Sequence, residues 1–311
     1  MENNSNALDL FSSLSNWGRW GENDQQGTLN LITPEHRRAA AGLVREGLTV
    51  SLASDVETRT AAGTDHSAQR FMLSTGEGLS DPQRLPTHEP DIAEDVVMYP
   101  VHGVANTHLD ALGHYFWNGK MWNGKPAEHV TAALGATIND VRGAKAGIFT
   151  RGVLIDVPAL RGIDWLEGGQ GIGAEDLLEF ERTLGIQIGE GDALLLRTGQ
   201  PERLAAKGHP ADGPTYSGWR IDALPLLSER GVSLIGCDGP AETGPSGVQE
   251  LEHPVHQIGL IAMGLWLMDN LSLAEVATVA SEVHRSEFCF TTAPIRFVGS
   301  TGSLVNPLAV F

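Results

Sequence analysis

The segment NTHLDALGH, residues 106–114, places two histidines and an aspartate within nine positions of the chain. Imidazole and carboxylate groups are ligands that zinc, manganese and ferrous iron accept, and a set without sulfur disfavours copper(I). Side chains two residues apart on a strand share a face, so His108 and Asp110 are able to close around one ion. The segment therefore predicts part of a metal site, with a chance grouping of polar residues as the alternative.

Further ligands must come from elsewhere in the chain, because two protein groups seldom hold a catalytic ion. Val96 to Asp110 reads largely as extended chain, which would project His102 from the same face as His108 and Asp110. The ALG turn that follows would bring His114 back beside the ion without binding it. The second half of the chain offers two histidines and an aspartate within HPVHQIGL and MDNL: His253, His256 and Asp269.

Short runs rich in branched residues alternate with helix signals, which predicts an α/β architecture. The predicted strands are Val96–Val101, Val153–Asp156, Ala193–Arg197, Val232–Ile235, Phe288–Thr292 and Ile295–Val298. The predicted helices run from Thr33-Pro34 to Gly47, from Ala174 to Gly185, and onward from a capping box of Ser272 and Glu275. No linker or repeat divides the sequence, so we expect one domain over residues 1–311, with an N-terminal arm and helix in residues 1–47 packed on it.

The amino-acid composition indicates which binding partners and which cellular compartment are expected for this protein. A formal charge of −18 argues against nucleic acid and anionic membrane as partners. Cys237 and Cys289 stand far apart in apolar contexts, so we expect buried thiols and neither a disulfide framework nor a cysteine zinc site. We find no signal peptide and no run near the ~18 apolar residues of a membrane helix, which predicts a cytoplasmic protein.

Several common catalytic motifs are absent from the sequence. There is no GxSxG elbow, no P-loop and no HExxH helix. GGQGIGA has the glycine spacing of a dinucleotide fingerprint, but RGIDWLE before it is a poor strand, and the fingerprint needs a strand that feeds the turn. The serine-hydrolase, NTPase, zincin and dinucleotide-binding interpretations therefore lose their usual support.

The segment THLDALGH resembles the core of the metal-dependent cyclase family, which includes bacterial kynurenine formamidases and isatin hydrolases and has the usual motif HxGTHxDxPxH. The opening WGRWGENDQQGTLNLITPE resembles that of the family's longer branch. Other segments resemble family segments in the expected order: RGVLIDV, GDALLLRTG, GVSLIGCDG, PVHQIGLIAMGLWLMDNL and APIRFVGSTGSLVNPLAV. This collinearity is more specific than the short motif.

The resemblance implies a swivelling β/β/α fold with a mixed sheet and flanking helices. It implies that His108 and Asp110 are metal ligands and that His114 is the catalytic acid/base. His256 matches the family histidine that approaches the metal from the second half of the chain. Asp269 falls where relatives with two metal ions carry a ligating glutamate, and the ion would be zinc or manganese.

The sequence departs from the motif at three positions. Its first histidine aligns with Val104, its glycine with Asn106 and its proline with Leu112. The missing ligand puts a two-metal site in doubt. We hypothesise that His102, two residues earlier on the predicted face, takes the vacant place with the strand register slightly altered.

The implied chemistry is hydrolysis by metal-activated water, in which a neutral His114 accepts a proton and returns it to the leaving amide nitrogen or ester oxygen. The resemblance gives an amidohydrolase of the arylformamidase and isatin hydrolase type, acting on a small amide, cyclic amide or lactone. Trp117, Trp122 and Trp20 are candidates to line the binding site of a flat substrate, although packing in the core is the more common role of a tryptophan.

Two other classes of function stay open. The chain could be a metal-assisted cyclase or dehydratase of secondary metabolism, as the family name suggests, or a non-catalytic ligand-binding member that kept the fold. In each case we expect a small molecule as the partner. The resemblance also implies a homodimer or a higher homo-oligomer.

Overall fold

The computed structural model describes residues 7–58, 68–85, 87, 90–208, 213–249 and 251–311. Within these residues the main feature is a nine-stranded mixed sheet with helices around it. The strands are β1 (Thr49–Ser51), β2 (Gln69–Ser74), β3 (Glu94–Met98), β4 (His108–Asp110), β5 (Val130–Thr131), β6 (Gly135–Ala136), β7 (Ile148–Asp156), β8 (Gly171–Ile172), β9 (Ala193–Arg197), β10 (Gly218–Trp219), β11 (Leu234–Cys237), β12 (Trp266–Asp269), β13 (Glu287–Thr292), β14 (Gly302–Leu304) and β15 (Leu308–Val310).

The large sheet has the order β1-β15-β13-β7-β9-β11-β12-β4-β14. Its centre, from β7 through β9 and β11 to β12, is parallel. Both flanks are antiparallel, with β13, β15 and β1 on one side and β4 and β14 on the other. Three two-stranded sheets stand apart and pair β10 with β8, β2 with β3, and β5 with β6.

The α-helices are α1 (Ala7–Ser13), α2 (Pro34–Ala41), α3 (Val157–Arg161), α4 (Ala174–Leu184), α5 (Gln200–Lys207), α6 (Leu224–Arg230), α7 (Pro254–His256) and α8 (Ala274–Glu282). A π-helical segment, Gln257–Met263, continues from α7. Short 3-10 turns occur at Gly27–Leu31, Trp122–Gly124, Ala127–His129, Val141–Ala144 and Ile221–Ala223.

The central strands form because their residues are apolar at nearly every position, which suits strands covered on both faces. The predicted strand Ala193–Arg197 is confirmed with those bounds, and its first four residues are buried. Val153–Asp156 and Phe288–Thr292 lie within longer strands, and Val232–Ile235 is shifted by two residues. Ile295–Val298 is not a strand, because it follows Pro294 and no neighbouring strand pairs with it among the described residues.

The predicted helix that the structure confirms best is the one followed by a helix-ending glycine. Helix α4 ends at Gly185, which adopts a left-handed conformation, as predicted. Helix α2 starts at its predicted cap, Thr33, but ends at Ala41 instead of continuing to Gly47. The capping box predicted at Ser272 is wrong: its backbone N–H donates to the carbonyl of Leu52, and α8 starts two residues later without a side-chain cap.

The N-terminal segment packs on the π-helical segment. The Trp17 indole donates to the carbonyl of Ile261 at 2.6 Å, and the Asn16 amide donates to that of Met263 at 2.9 Å. These contacts agree with the predicted packing of the arm, while a single domain over residues 1–311 stays a prediction. Both cysteines are free and buried, as expected. In the parts of the chain that the structure describes, no helix combines the length and the apolar character needed to cross a membrane.

The hairpin formed by β2 and β3 differs from the rest of the fold because its residues are exposed on both faces, apart from the partly buried Ser74. Large apolar side chains project into solvent there, including Phe71, Leu73 and Met98. Exposed apolar surface of this kind is common where chains associate. The homo-oligomer implied by the resemblance stays a prediction.

Candidate metal centre and active site

Strand β4 positions the two residues at the heart of the predicted site. It lies between β12 and β14, with His108 directly opposite Asp269 across the β12 pairing. Opposite residues of an antiparallel pair point to the same face, so sheet register brings these two side chains together. Both are buried, together with Asp110.

Asp110 is the residue on which the predicted ligands converge. Its Oδ1 lies 2.9 Å from His102 Nδ1, 3.4 Å from His108 Nε2 and 3.9 Å from His114 Nε2. Its Oδ2 lies 3.7 Å from His256 Nε2. The structure therefore assembles four histidines around one carboxylate, three from residues 102–114 and the fourth from α7.

His102 reaches Asp110 from a bend and not from the continuous strand predicted between Val96 and Asp110. Strand β3 ends at Met98, and the chain bends through residues 101–106 before β4 begins. The ring fits beside β14 because residue 302 is glycine: a Cβ there would lie 2.7 Å from His102 Cε1. His102 Nε2 also contacts Thr301 Oγ1 at 2.9 Å, so both ring nitrogens have partners.

His114 returns to the site through a tight turn, as the ALG sequence predicted. Its backbone N–H donates to the carbonyl of Ala111 at 2.9 Å, and its ring stacks on that of His102 with 3.5 Å between centroids. Burial is the main cause that lowers the pKa of His114 to about 4, with Asp110 opposing the shift. A histidine with this pKa is neutral at pH 7 and can accept a proton.

His256 approaches from the opposite side, at the end of α7. Its Nε2 lies 3.4 Å from Asp269 Oδ2, and its Nδ1 lies 3.0 Å from Glu242 Oε2. Burial alone would lower the pKa of His256, but Asp269 and Glu242 raise it well above its usual value. The carboxylates of Asp110, Asp269 and Glu242 around this ring therefore favour positive charge at this place.

The residues present fit a divalent cation. Two groups have ligand atoms within 4.8 Å of one another, one made of His102, His108 and Asp110, the other of Asp110, His256 and Asp269. Asp110 Oδ2 is buried and has no hydrogen-bond partner, which is costly for a carboxylate oxygen unless a cation meets it. Burial alone would raise the pKa of Asp110, yet His114 and His102 hold it well below its usual range, so the carboxylate is ionised and ready to bind. All the donor atoms are nitrogen or oxygen, as zinc or manganese accepts.

A model of the cyclase family matches residues 47–242, which is well over half of the chain and includes β4 and His114. The chain belongs to the cyclase family. A solved structure described as a novel cyclase is 29% identical, with a TM-score of 0.84, and the match covers 97% of this chain and 99% of that one. A comparison with curated proteins finds no match.

Two more distant structures share the fold of this cyclase-family chain. Isatin hydrolase A from Ralstonia solanacearum is 19% identical, with a TM-score of 0.59 and coverage of 87% of this chain and 93% of that chain. A predicted metal-dependent hydrolase from Bacillus stearothermophilus is 17% identical, with a TM-score of 0.51 and coverage of 84% and 97%. The α/β fold with a mixed sheet, expected from the sequence, is thereby confirmed.

The histidine and carboxylate groups open into a cavity of about 1170 Å³. Of the three tryptophans predicted to wall it, none is among the described residues that line it. Trp122 is fully buried and donates to Asp24 Oδ2, Trp20 lies against the Trp122 ring, and Trp117 packs on Phe11. These tryptophans attach the N-terminal segment, so the prediction of a tryptophan wall is corrected: among the described residues, Tyr115 and Tyr216 line the cavity.

The sequence interpretation missed two residues of this cyclase-family site, Tyr115 and Glu242. The Tyr115 ring lies 4.8 Å from that of His114 and 5.2 Å from that of His256, between centroids, and burial raises its pKa to about 12. Glu242 follows the buried strand β11 after a Gly-Pro turn. Its position beyond the carboxyl end of a parallel strand is the signal that could have indicated it, because ligand sites of α/β sheets lie at such ends.

Proposed function

We propose that this protein is a metal-dependent hydrolase that cleaves a small amide, cyclic amide or lactone with activated water. The observation that carries the proposal is the buried, unpartnered Oδ2 of Asp110 at the meeting point of two groups of metal-ligating side chains. Membership of the cyclase family and the fold shared with isatin hydrolase support the class of reaction.

The residues that would hold zinc or manganese are His108, Asp110, His256 and Asp269, with His102 in place of the motif histidine missing at Val104. A bound divalent ion would supply Lewis-acid chemistry, lowering the pKa of water towards ~7 and stabilising negative charge at a carbonyl oxygen. Asp110 belongs to both groups of ligand atoms, so its loss would remove a ligand from each of them.

His114 is proposed as the acid/base. Its Nε2 lies at the edge of the cluster, 3.9 Å from Asp110 Oδ1, and about a quarter of its side chain is exposed to the cavity. It is therefore more accessible to substrate than His108 and His256, which line the same cavity but are buried. In this role His114 takes a proton from water during attack and delivers it to the leaving nitrogen or oxygen.

The cavity favours a substrate without negative charge. Among the described residues that line it there are four carboxylates and no lysine or arginine: Asp110, Glu242, Glu252 and Asp269. Pro214, Pro245, Tyr115 and Tyr216 give the same cavity rigid apolar walls, which suit a flat ring. We therefore expect neutral cyclic amides or lactones to bind better than substrates with a carboxylate.

The test is turnover of a small panel by protein loaded with zinc or manganese, with isatin, N-formylkynurenine and a lactone as substrates. We expect hydrolysis that a chelator abolishes. His114→Ala should lower kcat by about 10²–10⁴-fold, the usual contribution of a general acid/base, and should leave metal content unchanged. His129→Ala is the matched control, since His129 is exposed outside the cavity. Full activity of His114→Ala, or no turnover of any substrate by loaded protein, would contradict the proposal.

The family name favours a second candidate, a metal-assisted cyclase or dehydratase. Reaction in isotopically labelled water distinguishes the two, because hydrolysis places solvent oxygen in the product carboxylate. A product formed without that label supports the second candidate and counts against hydrolysis.

A further inference from the structure

Glu242 is a buried carboxylate that contacts His256, one of the proposed metal ligands. Its Oε2 lies 3.0 Å from His256 Nδ1. The same carboxylate accepts the backbone N–H of Val255, at 3.1 Å to Oε2, and that of His256, at 3.2 Å. Glu242 is 3% exposed, so water does not compete for these bonds.

These contacts fix which nitrogen of His256 carries hydrogen. An ionised carboxylate only accepts hydrogen bonds, so Nδ1 must donate to Glu242. This hydrogen stays on Nδ1 whether or not Nε2 is protonated. Nε2 is left facing Asp269 Oδ2 at 3.4 Å and Asp110 Oδ2 at 3.7 Å, where it is the nitrogen available to a cation.

We infer that Glu242 is a positioning residue that holds His256 in the orientation and tautomer needed to bind the metal through Nε2. The inference rests on the proposed function only in requiring a metal at this site. Carboxylates that hold a ligating histidine in this way raise its basicity and fix its ring, and their loss typically weakens metal binding 10–100-fold.

Capping of α7 is the alternative role, because Glu242 also accepts the N–H groups at the start of that short helix. A glutamine distinguishes the two roles. With its amide oxygen in the place of Oε2, glutamine still accepts the N–H groups of Val255 and His256 and the hydrogen of His256 Nδ1, all of which meet that oxygen, but it lacks the negative charge that raises the basicity of the ring. Capping of α7 therefore survives in Glu242→Gln, so weaker metal binding by that variant reports the loss of the carboxylate's effect on His256.

The first experiment measures the zinc dissociation constant of Glu242→Gln by competition with a chromophoric chelator. We expect binding about 10–100-fold weaker than in the wild type. Glu242→Asp, which keeps an acceptor-only group, should recover part of that loss. Glu252→Gln is the matched control and should bind zinc within about twofold of the wild type, because Glu252 lines the same cavity but is exposed and makes no such contact with His256.

The second experiment is ¹⁵N-edited NMR of the zinc-loaded wild type, which we expect to show hydrogen on Nδ1 of His256 and zinc on Nε2. Zinc affinity of Glu242→Gln equal to that of the wild type, or hydrogen found on Nε2, would overturn the inference. If Glu242→Gln does not fold, the wild-type spectrum and Glu242→Asp decide. Protein that binds zinc but hydrolyses nothing would contradict the proposed function and leave this inference standing, whereas a wild type that binds no zinc would overturn both.

Discussion

Replacing Gly302 with alanine tests whether the fit of His102 against β14 builds the metal centre. An added Cβ would lie 2.7 Å from His102 Cε1, 2.7 Å from the carbonyl oxygen of Leu109 and 3.0 Å from Val101 Cγ1. Real Cβ atoms avoid contacts of this length, so the ring and the adjoining strands must move. The backbone oxygen belongs to the paired strand β4 and can yield little, which leaves the imidazole as the group most easily displaced.

Overpacking of this kind typically costs about 1–3 kcal/mol of stability. With an unfolding entropy of about 2.1 cal/mol/K per residue, 1 kcal/mol corresponds to roughly 1.5 °C in Tm for a chain of this length. We therefore expect Gly302→Ala to lower Tm of the metal-free protein by about 2–5 °C. Because the displaced ring would leave Asp110, zinc binding should also weaken, by about 10–100-fold.

Differential scanning calorimetry and chelator competition measure these two effects. Gly76→Ala is the control, since nothing lies within 4 Å of its added Cβ and its φ is not positive. His102→Ala alone should weaken zinc binding, and adding Gly302→Ala to it should weaken binding little further, because the same ring is already lost. Gly302→Ala with the Tm and zinc affinity of the wild type would refute both the steric argument and the assignment of His102 as a ligand.

Three other predictions concern the core and the metal. Gly264→Ala should destabilise the protein by about 2–4 kcal/mol, measured by urea unfolding, because Gly264 has φ +66° and its added Cβ would lie 2.7 Å from the fully buried Trp122 ring. Leu195→Ala, in the centre of β9, should cost about 2–5 kcal/mol in the same assay, whereas truncating the 68% exposed Leu134 should cost little. Zinc at 100 times its dissociation constant should stabilise the folded state by about 2.7 kcal/mol, or roughly 4 °C in Tm, and Asp110→Asn should abolish that shift.

The sequence predicts the fold best where burial alone decides the structure. Strand β9 is apolar at four consecutive positions and is covered on both faces, so its bounds follow from composition. Ile295–Val298 has similar composition, but strand formation also needs a partner strand, which local sequence does not reveal. The early end of α2 has a local cause, because Gly42 follows Ala41 as its C-cap and glycine is a poor helix former.

The candidate site is predictable only in part, because some of its contacts join residues that are far apart in the sequence. His108, Asp110 and His114 lie within seven residues, and strand alternation followed by a turn is enough to bring them together. Asp269 meets them through the pairing of β4 with β12, and His256 meets them from the end of α7; both are long-range contacts. Glu242 joins the site through hydrogen bonds to the start of α7, and no spacing in the sequence encodes that contact.

The pairing of β4 with β12 has a consequence for folding. The two strands are separated by more than 150 residues of chain that include β7, β9 and β11. Asp269 reaches the side chains of β4 only when that intervening sheet has formed, so a truncated or half-folded chain would lack this part of the site. Binding of a cation by Asp110 together with Asp269 would then report that the whole sheet has formed.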